Sequence, residues 1–221
     1  MSRKFFFWSA IFAISMGFFE SAIVVYLRTI AYPGGFSFPL QPLSTDLSTT
    51  ELLREGFSLV MLLSVSCLLG KRAMERFGWF IYNFAIWDIF YYLFLFLLIG
   101  WPKSLGTMDL LFMIPVIWTG PVYAPVILSL LMILLAIPII IYSQRIRYIR
   151  FRPKEFLLLL LGSLTCIVSF TLDSFKSSQG SASDKFVPGP FNWIVFTVGA
   201  LIILIGTLMF IFHNKKSRKK K

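Results

Sequence analysis

Seven ionisable residues, Glu20, Arg28, Glu51, Arg54, Glu55, Asp88 and Asp109, fall inside or beside stretches otherwise built for hydrocarbon. Five are carboxylates, and two are guanidiniums that can answer them. Carboxylates, an arginine and tyrosines facing one pocket can do acid–base work or hold a charged headgroup. Tyr91 and Tyr92 follow Asp88 closely and place hydroxyls within its reach. Asp88 is the most demanding of the set, because a charge at the bilayer centre costs about 2.5–3.5 kcal/mol on insertion scales. The cheapest arrangement has the spans converge, with Arg28 and Arg54 facing the carboxylates. Asp88 can also stay protonated and donate a hydrogen bond.

Other chemistries lack their residues. The one histidine, His213, lies beyond the last apolar run. That argues against haem ligation, the di-iron helix motif and Ser-His or Cys-His catalysis. Cys67 and Cys166 fall inside apolar runs without CxxC or Cys/His spacing, so neither a disulfide framework nor a zinc site is expected. A carboxylate-only site for a divalent cation would share its space with two arginines. The expectation is no metal and no cofactor.

The elements that must position these residues are membrane spans. Of 221 residues, 57% are hydrophobic and only 14% charged, yet the net charge is +11. A soluble domain of this length needs more polar surface. Spanning a bilayer takes about 20 apolar residues. Six stretches qualify: 5–28, 55–70, 79–100, 121–142, 156–172 and 191–212, the second and fifth short enough to extend into their flanks. The first follows Arg3 and Lys4 like a signal peptide, but it is too long, carries Glu20 and has no A-x-A site. It reads as a retained span. The expected fold is therefore all-α, a six-span membrane bundle over residues 1–214 with a basic tail at 215–221.

Charge predicts orientation. Sixteen lysines and arginines cluster at the N-terminus, after spans two and four, and at the C-terminus; Arg28, Arg54, Lys103, Lys176 and Lys185 are the five on the other side. The alternation predicts cytoplasmic termini in a plasma (inner) membrane protein. The tail "NKKSRKKK" completes that bias and touches anionic lipid, so no nucleic-acid partner is expected.

The three outer loops differ. Residues 31–50 are apolar but broken by Pro33, Gly34, Gly35, Pro39 and Pro42, and are expected to fold over the outer mouth of the bundle. They end in "STTE", where Ser48 is a candidate cap for a helix with Glu51 as its third residue. The segment "WPKSLGTMDLLFMIPVIWTGP" is too broken to span and should lie at the interface or dip in and return. The loop "DSFKSSQGSASDKFVPGP" reads as flexible and without a role.

Depth follows from a rise of about 1.5 Å per residue. Glu20 falls in the outer half of span one and Arg28 at its outer end. Glu51, Arg54 and Glu55 share one helical face, with Ser58 a turn below. Asp88 sits roughly 14 Å into span three, near mid-membrane. These placements predict an outward-facing polar pocket between spans one, two and three, formed by Glu20, Arg28, Arg54, Glu55, Asp88, Tyr91, Tyr92 and Asp109. A local Arg54–Glu55 ion pair and a tyrosine bonded to Asp88 are expected within it.

From Glu51 to about Val126, the words WDIFYY, GWP, DLLF and P-V-x-W-x-G-P-V resemble a block in bacterial multi-pass membrane proteins of no established activity. The resemblance implies a membrane location and no substrate. The residues themselves favour a small-molecule or lipid-headgroup site. Two other readings stay open: an accessory protein whose buried charges only brace helices, and a proton- or cation-coupled transporter. The transporter reading needs polar residues through both halves of the bundle, and the cytoplasmic halves carry few.

Overall fold

The computed structural model describes residues 3–40, 44–145, 149–177 and 186–219. Six helices follow one another: α1 (Arg3–Ala31), α2 (Thr45–Leu69), α3 (Ala73–Ile99), α4 (Tyr123–Arg145), α5 (Pro153–Ser177) and α6 (Trp193–Lys219). Each is long and apolar enough to cross a bilayer. Large side chains such as Phe7, Phe57, Leu68, Leu97 and Ile194 point outward and exposed, a surface suited to lipid and not to water. The short second and fifth runs do extend, to 25 residues each.

One segment departs from the all-helical expectation. The broken stretch between α3 and α4 forms an antiparallel hairpin, β1 (Met108–Phe112) and β2 (Trp118–Pro121), with a bulge between Leu110 and Phe112. Helix α3 stops cleanly before it because Gly100 adopts the left-handed conformation, φ 64°, and its N–H bonds Phe96 O at 2.9 Å. The hairpin pairs its own backbone groups, which removes the obstacle to burying irregular chain among helices. Asp109 and Thr119 are accordingly almost fully buried.

Helices in lipid adhere by close packing and hydrogen bonds, since the surrounding tails are as apolar as leucine. Helices α1 and α3 run parallel. A Cβ at Gly17 would stand 3.0 Å from Trp87 O and 3.1 Å from Tyr91 N, so the two backbones touch there. Ser21 Oγ secures the contact, donating to Gly17 O at 2.7 Å and Tyr91 O at 2.9 Å. Helices α5 and α6 touch in the same way, antiparallel, through Gly162 and Gly199. Helix α2 leans on α3 and makes no comparable contact with any other helix.

Toward the chain termini the bundle is filled by Trp79, Tyr82, Ile139, Ile140 and Phe210. His213 lies inside α6 at that end, not beyond the helix, and its Nδ1 is 3.1 Å from Glu155 Oε1 on α5. Toward the hairpin, Ala124, Cys166, Phe170 and Phe196 form a second packed group. Residues 178–185 of the polar loop, with Lys185, and Pro42, Arg147, Lys220 and Lys221 lie outside the described residues.

Candidate functional site

At the hairpin end the bundle encloses a cavity of about 700 Å³. All eight residues assembled from the sequence, Glu20, Arg28, Arg54, Glu55, Asp88, Tyr91, Tyr92 and Asp109, stand on its wall. The cavity is broader than the expected space between three spans. Leu128, Ser129 and Met132 of α4 and Phe170 of α5 complete it.

Each charged residue reaches the cavity for a local reason. Helix α2 begins four residues before the first residue expected from a Ser48 cap. Ser44 is its N-cap and accepts from Leu47 N at 3.3 Å, while Ser48 N already bonds Ser44 O at 2.9 Å. Glu51 is therefore not a cap partner. It lies on the buried stripe Glu51, Glu55, Ser58, Leu62, Ser66, whose polar half faces the cavity and whose lower half packs on α3. Arg54 donates to Glu51 and, at 2.5 Å, to Glu20 Oε2. This link joins α2 to α1.

Glu55 makes no ion pair with Arg54, contrary to expectation. Its two carboxylate oxygens accept from Met113 N at 3.2 and 3.0 Å, tying α2 to the residue after β1. The reason is position: adjacent residues on a helix point about 100° apart, so Arg54 turns to Glu51 and Glu20.

Arg28 closes the top of α1. Its Nη2 is 3.0 Å from Asp109 Oδ1, and its guanidinium lies over the rings of Phe36 and Trp101, 4.4 and 3.8 Å from their centres. The pair is almost fully buried. Tyr92 Oη donates to Asp109 Oδ2 at 3.3 Å, so the tyrosine expected to seek Asp88 serves the hairpin instead. Burial pushes the Asp109 carboxyl up to about 6, against the opposing pull of Arg28, the Leu110 N–H and Tyr92.

Asp88 differs from the rest. Ser129 Oγ donates to its Oδ2 at 2.8 Å. Among the described residues no lysine or arginine pairs with it. It lies deep in the bundle yet keeps some accessible surface, and that surface is cavity wall. On its face of α3 stand Phe84, one turn before, and Tyr91 and Tyr92, one turn after.

Below this level the cavity ends. Trp87, Phe84 and Phe112 form the floor, packed on Met16 and Leu62. Beneath them Ser9 donates to Asn83 Oδ1 at 2.6 Å and Asn83 Nδ2 to Ser66 Oγ at 3.3 Å, a closed buried set. The roof is made by Tyr32, Phe36 and Leu40 of the first loop and by Ile117 and Trp118 of the hairpin. Phe186 joins them, and Leu40 N bonds Phe186 O at 3.1 Å. The last loop, expected to have no role, thus contributes to the roof.

No protein family, curated protein or solved structure matches this chain.

The pocket expected from the sequence left out Glu51, although it was counted in the charged cluster, and Ser129. For Glu51 the signal was present, since its i, i+4 spacing to Glu55 puts it on the same stripe. Ser129 is one small hydroxyl in an apolar run and carries no signal of its own. Among the described residues no three acidic, cysteine or histidine side chains stand close enough to hold a metal ion. The arrangement can seat an amphipathic molecule, with charge at Glu20–Arg54, Arg28–Asp109 and Asp88 and apolar wall elsewhere.

Proposed function

We propose that this protein is a membrane-embedded binding protein that takes an amphipathic small molecule, lipids included, into the cavity at the hairpin end. The observation that carries the reading is the convergence of seven charged side chains and three tyrosines on one cavity whose remaining wall is mostly apolar. A ligand of that kind has a head for the charged wall and a body for Val24, Leu27, Leu111 and Met132. Both termini are assigned to the cytoplasmic side of the plasma membrane, so the cavity belongs to the outer half of the bilayer. The volume, about 700 Å³, falls in the range of small-molecule sites.

The bracing reading has support of its own at Arg28–Asp109 and Arg54–Glu20, where cation and carboxylate are matched. It does not extend to Asp88. The transport reading finds the aromatic floor in its way.

Native mass spectrometry of the protein released from mild detergent tests the proposal. The parent is expected to retain a bound amphiphile that Met132→Trp, with an indole in the cavity, has lost. Equal retention by both proteins, or none by either, refutes it.

A further inference from the structure

The charge pattern of the cavity selects the head of the ligand. Five carboxylates line the wall with two guanidiniums. Both guanidiniums already face a carboxylate. Arg54 is held by Glu20 and Glu51; Arg28 is paired with Asp109 through Nη2 and lies against the rings of Phe36 and Trp101, while its buried Nη1 has no hydrogen-bond partner among the described residues. An anionic head at Arg54 would have to break a buried pair, which is strongly unfavourable, and one at Arg28 Nη1 would meet a charge that Asp109 already balances. The reverse holds for a cation. Asp88 has a hydroxyl donor, an accessible face on the cavity and no cation beside it.

Its surroundings suit a cation as well. Phe84, Tyr91 and Tyr92 stand on the same face of α3, so a positive group at Asp88 lies among aromatic rings, whose faces attract cations. Glu55 has both oxygens on the Met113 N–H, and Asp109 is paired. Glu55, like Asp88, has no ion pair, but both its oxygens are turned to the hairpin, whereas only Oδ2 of Asp88 is engaged, by Ser129.

Resting on the cavity as a binding site, we propose that its ligand is a membrane-borne amphiphile with a protonated amine head, and that Asp88 is the counter-ion. The access route follows from the packing. Helix α2 leans on α3 alone, and its first half is joined to α1 by the Arg54–Glu20 link and to the hairpin by Glu55. Away from that link α1 and α2 make little helix contact, so a ligand has a route from lipid through the seam between them.

The test uses the full chain in phosphatidylcholine nanodiscs, with thermal unfolding measured against dodecylamine, dodecyl phosphate and dodecanol at equal mole fraction. Dodecylamine is expected to raise the unfolding temperature of the parent, and the other two are not. Asp88→Asn is expected to bind the amine about tenfold more weakly, or worse, the equivalent of ~1.4 kcal/mol. Met132→Trp, which leaves every charge in place, should lose the response and keeps the test decisive if Asp88→Asn does not accumulate. A shift with dodecyl phosphate or dodecanol but not the amine overturns the amine assignment and leaves the cavity reading standing. An equal shift by dodecylamine in parent and Asp88→Asn overturns it too, since the amine then acts elsewhere. No shift with any of the three removes the cavity reading along with it.

Discussion

Ser129 on α4 donates a hydrogen bond to Asp88 on α3 at 2.8 Å, and that hydroxyl is the nearest thing to a partner the aspartate has. A residue kept only to brace two helices would be matched more fully, as Arg28 and Asp109 are. Asp88→Asn keeps the size and can still accept from Ser129. It is expected to unfold at the parent's temperature or above, as side chains retained for function often cost stability. A loss of several degrees in mild detergent would make Asp88 chiefly a brace.

The Arg28–Asp109 pair should behave in the opposite way. Removing the cation leaves a buried carboxylate with only Tyr92 and backbone to answer it. Arg28→Met is expected to cost about 3 kcal/mol at neutral pH. Arg28→Met with Asp109→Leu should recover much of that loss. If the double variant is as weak as the single, the joint depends on more than the pair.

Asp109 also predicts a pH dependence. Its carboxyl is pushed up to about 6, above the usual value near 3.9. A raised value means the folded protein holds the proton more tightly than the unfolded chain does. The stability from this group is thus complete below about pH 4 and is lost as pH rises through about 6. Unfolding temperatures of parent and Asp109→Asn, followed from pH 4 to 8, should show the variant gaining on the parent across that window. Parallel curves would exclude the effect.

Arg54 holds the upper half of α2 to α1. Arg54→Gln is expected to speed amide hydrogen exchange over residues 45–58 while residues 79–95 of α3 stay protected. Uniform acceleration through both helices would show that the link stabilises the whole bundle.

Reporter fusions test the orientation. A fluorescent protein at the C-terminus should fluoresce, and alkaline phosphatase inserted near residue 104 should be active. The inverse pattern would move the cavity to the cytoplasmic half and end the outer-leaflet assignment.

Much of this was legible in the chain because depth along a helix is arithmetic. Knowing where the spans lie puts Glu20, Arg28, Arg54, Glu55 and Asp88 at or above the middle of the membrane, and few such charges go without partners. Partner choice was not legible. Glu55 and Arg54 are neighbours in sequence but point apart, and Glu55 finds a backbone N–H 58 residues away. The hairpin was hidden for a related reason. Pro115 and Pro121 argue against a span, and the fold places one in the loop between the strands and the other at the end of β2. Ser44 and Ser48 both head plausible caps, and local sequence does not choose between them.

The parallel contact of α1 with α3 and the pairing of Arg28 with Asp109 bear on how the protein is made. Arg28 precedes its partner by 81 residues. At about 5–20 residues per second, it is synthesised several seconds before Asp109 exists. Glu20 waits through another 34 residues for Arg54. For that interval the first helix carries an unmatched acid and then an unmatched base, a costly state for a helix alone in lipid. Assembly of this protein is a matter of sheltering its beginning until its middle arrives.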